Sequence, residues 1–169
     1  MEEGLEYTRE EYSLIPQLVS GSDTVIDINI VSEPAVSYAV TPTNDSSYLK
    51  LVHVSREGLS YKKFVIAERA FGLSKQELST ILHISDRTLD RIHKDKKRLS
   101  TPQTERVLEL SMLYDHGWSC FGDKESFRAW MDNAYIPYGG VTPLSLLDTT
   151  HGIEMIHTAL GRIEHGIPA

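Results

Sequence analysis

Ser74 and Ser85 open two helices only eleven residues apart, a spacing that leaves room for two short helices and a tight turn. Ser74-Lys75-Gln76-Glu77 is a capping box, in which the serine oxygen accepts from the amide three residues on and the Glu77 carboxylate reaches back to the Ser74 amide. Leu78, Ile81 and Leu82 then face inward. His83-Ile84-Ser85 makes the turn, and Ser85 caps a further helix with Leu89 and Ile92 on its inner side. Leu78, Leu82, Ile84, Leu89 and Ile92 form the apolar set that locks such a pair at a steep angle, as a helix-turn-helix unit requires.

Asp86, Arg87, Asp90, Arg91 and Lys94 are left outside, with Arg87, Arg91 and Lys94 at i, i+4 and i+7 along one side. On a free helix two arginines one turn apart repel by about 0.2 to 0.5 kcal/mol, whereas guanine edges or phosphates lying opposite favour them. The pattern therefore predicts a DNA-reading surface of Ser85, Arg87, Thr88, Arg91 and Lys94, with Lys96 and Lys97 on phosphates. Asp86 and Asp90 count against it, because a carboxylate near phosphate is repelled unless it accepts from cytosine. The competing reading is an ordinary helical hairpin with solvated charges.

Charge is distributed in the same sense. The chain carries −7 overall, but residues 1–49 hold −8, residues 50–98 hold +6 and residues 99–169 hold −5. A confined basic segment attracts a polyanion locally, over about one Debye length of ~8 to 10 Å. The −8 of the N-terminal segment is placed to screen it.

Outside the central pair, residues 1–48 carry turn formers and lack helical periodicity, which predicts a less regular acidic arm. Ile26-Asp27-Ile28-Asn29-Ile30 alternates with period two and predicts one short strand. Helical spacing begins with Leu49, Val52 and His53, and a second run places Phe64, Ile66, Ala67 and Ala70 near one face until Gly72. Thr101-Pro102 starts a helix that runs through Val107, Leu108, Leu110 and Leu113 toward Gly117. Phe127, Trp130 and Met131 form the stripe of the next helix, Tyr135 to Thr142 form a loop, and Thr142-Pro143 repeats the start signal. Thr149 or Thr150 opens a last helix through Ile153, Ile156, His157, Leu160 and Ile163. Gly166 and Pro168 then predict an extended, exposed tail. The fold expected is all-α: arm 1–48, helix-turn-helix domain 49–110 and a small helical domain 111–169.

No apolar run approaches the ~18 to 20 residues that span a bilayer, and the acidic N-terminus lacks the positive charge of a signal peptide, so a cytoplasmic protein is expected. The single Cys120 cannot form an internal disulfide or a Cys-rich zinc site. No His pair has the HExxH arrangement, and neither a phosphate-binding glycine loop nor a nucleophile elbow occurs. No metal, no cofactor and no enzymatic activity are expected.

Several separated blocks, in order, carry a resemblance. They are Phe71-Gly72-Leu73-Ser74-Lys75-Gln76-Glu77-Leu78, Ile84-Ser85-Asp86-Arg87-Thr88-Leu89, Arg98-Leu99-Ser100, Phe121-Gly122-Asp123, Gly139-Gly140-Val141-Thr142-Pro143-Leu144 with Leu146-Leu147-Asp148-Thr149, and Leu160-Gly161-Arg162-Ile163-Glu164-His165-Gly166. Over about residues 48 to 169 the chain resembles the Xre/MbcA/ParS family of type II antitoxins. The resemblance implies a helix-turn-helix part of the Xre/Cro type and a C-terminal toxin-binding domain. It also implies a RES-domain or ParT-type toxin as partner, one that degrades NAD or uses it for ADP-ribosylation, and a homodimer that binds operator DNA and represses its own operon.

A toxin of that kind needs a cleft that holds a pyrophosphate, and a plug for it should offer carboxylates on a segment able to enter. Glu164 and the terminal carboxylate of Ala169 meet that need, with Arg162 and His165 as further polar contacts and Leu160, Ile163 and Ile167 as apolar anchors. In the bland alternative Leu160 and Ile163 only close their own domain's core. A competing function is a free-standing repressor with a ligand-sensing C-terminal domain, which predicts a preformed apolar pocket.

Overall fold

In a computed structural model of the chain, residues 13–20, 44–134 and 138–167 are described. The central element is a long helix whose start is written in Ser100-Thr101-Pro102-Gln103: the Ser100 amide donates to Gln103 Oε1 at 2.9 Å and proline fills the first turn. Ser100 is thus the cap, one residue earlier than the threonine expected. This helix, α6 (Thr101–Phe121), buries Val107, Leu108, Leu110, Leu113, Tyr114 and Trp118 on several sides and packs against five other helices. It does not stop at Gly117. A β-carbon there would overlap the ring of Phe127, so this glycine serves close approach inside a helix, and the helix ends at Gly122 with φ 78°.

Residues 13–20 of the N-terminal arm are more regular than its composition predicts. Residues 14–19 form α1 (Leu14–Val19), which sinks Leu14 and Leu18 into the core against α6. Its entry is fixed from a distance: Asp115 on α6 accepts from Ser13 Oγ (2.7 Å), Leu14 N (2.6 Å) and Ile15 N (3.0 Å). A carboxylate at a helix N-terminus satisfies amides that have no intrahelical partner, and here the sequence distance is about 100 residues, beyond any local signal. The strand expected at Ile26–Ile30 lies outside the described residues.

Helix α2 (Asn44–Glu57) begins before Tyr48, within the Asn44–Ser47 run read as a turn; these residue types favour helix starts as well as turns. Its inner face is Leu51 and Val54, while Leu49, Val52 and His53 point outward, a shift of the stripe by about half a turn. In α3 (Tyr61–Phe71), Phe64, Ala67 and Phe71 are buried, but Ile66 is exposed.

The helix pair follows as α4 (Lys75–Ile81) and α5 (Asp86–Asp95). Beyond α6 come α7 (Lys124–Asp132), a 3-10 turn at Pro143–Leu146 and α8 (Thr150–Glu164), with Phe127, Met131, Leu147, Ile153, Ile156 and Leu160 fully buried among them. All regular elements among the described residues are helical.

Arg106 joins the two halves. It is 8% exposed, and its guanidinium donates to the Ile81 carbonyl at the end of α4 (3.0 Å), the Leu147 carbonyl after the 3-10 turn (2.9 Å) and the Glu109 carboxylate (2.8 Å). Replacing it by alanine strands two carbonyls and a carboxylate. Arg106→Ala is expected to lower the unfolding free energy in urea by about 3 to 5 kcal/mol, and Arg106→Lys to recover little of it, because a point charge cannot serve three acceptors in one plane.

Candidate nucleic-acid interface and partner face

The turn between α4 and α5 places His83 in the left-handed region, with φ 54°, a conformation tolerated better by His than by bulkier residues. Ser74 and Glu77 form the expected capping box, with bonds of 3.2 and 2.6 Å. Ser85 accepts from the Thr88 amide at 3.1 Å, and the two hydroxyls lie 2.9 Å apart. Ser85 and Thr88 therefore set the start of α5, and a helix N-terminus is an end where an anion is favoured.

Arg87, Arg91 and Lys94 are all exposed, and no salt bridge engages them among the described residues. The two aspartates that spoke against DNA have local roles. Asp90 turns toward α4, where Lys75 Nζ lies 2.7 Å from it, and Asp86 occupies the first turn of α5, where the helix dipole favours an anion. Lys96 caps the C-terminus of α5 with φ 49°. Lys97 pairs with Asp95 at 3.2 Å while remaining largely exposed. His93, which sequence reading left unassigned, reaches Glu68 at 3.1 Å and anchors α5 to α3.

In the C-terminal half, the glycine-rich block resolves into a chain of caps. Thr142 accepts from the Ser145 amide at 3.2 Å, and Thr149 accepts from the Gly152 amide at 3.0 Å. A β-carbon at Gly152 would overlap the Leu146 carbonyl oxygen, so glycine is required where α8 meets the 3-10 turn. Asp123 caps α7: the Ser126 amide and hydroxyl donate to it at 2.7 and 2.8 Å and hold its carboxyl below the usual range. Arg128 leans from α7 onto the α3–α4 turn, donating to the Gly72 carbonyl at 3.2 Å.

The expected partner-binding residues divide by burial. Leu160 is fully buried in the core, and Ile163 packs partly against it, so both close their own domain. Arg162, Glu164, His165 and Ile167 are exposed, and Ala169 lies outside the described residues. Up to Ile167 the tail is not extended. The Ile167 amide donates to Arg162 O at 2.9 Å and the Gly166 amide to Ile163 O at 2.9 Å, with Gly166 at φ 67°: a Schellman cap that turns the chain back on α8.

Two further features were not visible in the sequence. A groove of about 480 Å³ lies between α3, α6 and α7, walled by Phe71, Trp118, Phe127 and Met131. Beside it the Tyr114 hydroxyl is buried with no partner among the described residues, and burial pushes its pKa up. On the opposite flank of α6, His116, Cys120 and Glu164 bring one nitrogen, one sulfur and one oxygen within 4.8 Å of one another. His157 stacks on His116 at 5.8 Å, and burial, then the neighbouring His116, holds its pKa below the ordinary imidazole value. The cluster's spacing on α6 is His-x-x-x-Cys, with its third member on another helix, so it lacks the paired-histidine pattern.

Comparison with known proteins divides the chain along the same lines. Residues 50–111 match the family model of the antitoxin Xre-like helix-turn-helix domain, and residues 119–166 match that of the antitoxin Xre/MbcA/ParS C-terminal toxin-binding domain. The chain is similar to Antitoxin Xre of Photorhabdus laumondii, 33% identical over 94 residues that cover 55% of this chain and 64% of that protein. Antitoxin Xre of Yersinia enterocolitica is 29% identical over 96 residues, covering 56% and 65%. The Prs ADP-ribosylating antitoxin of a Sphingobium species is 27% identical over 114 residues, covering 62% and 70%. The match thus spans just under two thirds of the two Xre relatives.

The Schellman geometry at the end of α8 can be checked directly. Gly166→Ala forces a side chain into the left-handed region and is expected to cost about 1 to 2 kcal/mol in thermal or urea unfolding.

Proposed function

The chain belongs to the Xre/MbcA/ParS antitoxin family, and from that premise we propose that it is the antitoxin of a type II toxin–antitoxin pair. It is a non-enzymatic, cytoplasmic protein that represses its own operon and neutralises a RES-domain or ParT-type toxin by covering that toxin's NAD site. The observation that carries this reading is the joining, through one helix, of an α5 surface with three exposed cations to a domain that matches a toxin-binding family.

DNA recognition falls to Arg87, Arg91 and Lys94 against base edges or phosphates, with the capped start of α5 at Ser85 and Thr88 against the backbone. Lys96 and Lys97 follow on phosphates. A homodimer on paired half-sites supplies the remaining affinity, as helix-turn-helix proteins read palindromic operators. Toxin contact falls to Arg162, Glu164, His165 and Ile167 and to the residues that follow. Leu160 and Ile163 support this face from beneath. The domain limits for this division are 49–110 and 111–169, with α6 crossing the boundary unbroken.

One observation favours a second reading, a free-standing repressor that senses a ligand. The groove beside Tyr114 supplies the apolar pocket such a protein needs. A toxin reading frame adjoining this one, whose product co-purifies with the chain, selects the first reading; its absence selects the second.

Two outcomes test the proposal. Arg87→Ala with Arg91→Ala should abolish specific binding to the upstream promoter fragment at matched salt. Arg87→Ala alone should relax preference at one base pair by about 1 to 3 kcal/mol, while Lys96→Ala weakens all sequences alike. Removal of residues 162–169 should abolish protection of cells from the co-expressed toxin and leave operator binding intact. A truncated chain that still protects at equal abundance shifts the inhibitory contact to the loop 138–147.

A further inference from the structure

Where α6 and α8 run side by side, two residues one turn apart on α6 face the last turn of α8. His116 and Cys120 share a face by their i, i+4 spacing, and Glu164 closes the triangle from across the interface. The Glu164 carboxylate lies 3.3 Å from His116 Nε2, and the Cys120 thiol donates to the Leu160 carbonyl at 3.7 Å. All three ligand atoms fall within 4.8 Å of one another, so a single cation can contact them after small side-chain rotations.

We propose that His116, Cys120 and Glu164 form a zinc site that clamps the C-terminal turn of α8 to α6. The donor set selects the metal. A thiolate, an imidazole and a carboxylate together suit borderline-soft, tetrahedral Zn²⁺, whereas Mg²⁺ and Ca²⁺ call for oxygen alone. On binding, Cys120 gives up its proton to solvent, His116 ligates as the neutral ring, and Glu164 is already a carboxylate. The two negative ligands balance the charge of the ion. Three protein ligands leave one tetrahedral position for water, and His157, whose Nδ1 stands 3.5 Å from His116 Nδ1, faces the ring nitrogen of His116 that points away from Glu164.

The consequence is mechanical. Glu164 is the last residue of α8, immediately before the cap that carries His165, Gly166 and Ile167. A bond from Glu164 through the ion to α6 removes fraying from that turn, so the Glu164 carboxylate is committed to the ion and, of the exposed residues given to the toxin in the proposed function, Arg162, His165 and Ile167 are held in one place to make that contact.

Cobalt tests this, because Co²⁺ takes the same ligands and absorbs visibly in tetrahedral sites. The full untagged chain, stripped with chelator and dialysed, is titrated with CoCl₂ and then with ZnCl₂. The expected result is one equivalent bound, with visible ligand-field bands, a near-ultraviolet thiolate-to-cobalt charge-transfer band, and displacement of both by zinc. Cys120→Ser should remove the charge-transfer band, and Glu164→Gln should weaken cobalt binding by about 100-fold or more. His151→Gln, on the exposed face of α8, should change neither. Circular dichroism of each variant without metal shows that it is folded, and zinc should raise the melting temperature of the parent chain but not of Glu164→Gln. Absence of the charge-transfer band in the parent chain, its persistence in Cys120→Ser, or equal cobalt affinity in Glu164→Gln overturns the site.

Discussion

A buried guanidinium holds this molecule together. Arg106 spends its donors on the carbonyls of Ile81 and Leu147, which belong to the helix-turn-helix part and to the C-terminal domain respectively, and on the carboxylate of Glu109. Taking a charged side chain to 8% exposure costs several kcal/mol unless its donors find acceptors, and here two of the acceptors come from segments on either side of α6 in the sequence. The arginine is satisfied only when both halves are folded and docked. That requirement makes α6 a shared spine: it cannot be divided at residue 110 without stranding polar groups on either side.

The same helix organises what lies around it through polar pins at its flanks. Asp115 gathers the start of α1 from a sequence distance of about 100 residues, and Gly117 lets Phe127 approach the backbone. Thr104 accepts from the Leu59 amide at 2.8 Å, and the Leu99 amide donates to Leu59 O at 2.9 Å, which fixes the loops at both ends of the α3–α5 unit against the root of α6. Apolar burial supplies the drive for collapse, and these bonds select one docking among the several that a set of greasy helices would allow.

What could be read from the sequence follows from range. Caps act over three residues, so Ser74, Ser85 and Thr142 were legible, as were the inward stripes of α4 and α5, while the start of α8 was narrowed to Thr149 or Thr150 and only the structure selects Thr149. Long-range pins have no local period. Nothing in residues 13–20 announces Asp115, and six residues are too few for an amphipathic pattern to stand out, so α1 was hidden inside an acidic arm. On α2 the apolar residues Tyr48, Leu49, Leu51, Val52 and Val54 are too many for one face, and period alone could not say which side turns in. At the candidate interface, Arg87, Arg91 and Lys94 were legible because exposure follows from the stripe opposite them. The pairing of Asp90 with Lys75 was not, since it depends on how α4 and α5 cross. The cluster of His116, Cys120 and Glu164 required the register between two helices, with His116 and Glu164 lying 48 residues apart in the chain.

The way α4 is held bears on how the two functions communicate. At its start Arg128 of α7 donates to Gly72 O and lies 3.9 Å from Glu77, and at its end Arg106 of α6 holds Ile81 O, so α7 and α6 between them grip the first helix of the helix-turn-helix pair at both ends. Coupling between distant sites needs an element with two arrangements that both ligands bias. Between α8 and α5 the described residues offer instead a continuous frame: α8 packs on α6, α6 holds α4, and α4 holds α5 through Lys75 and Asp90. Under the proposed function, a toxin seated on the end of α8 would leave the shape of α5 in such a frame as it is. Its influence on operator binding would then come through where it stood relative to DNA and to a second copy of the chain, and so through the spacing of the half-sites.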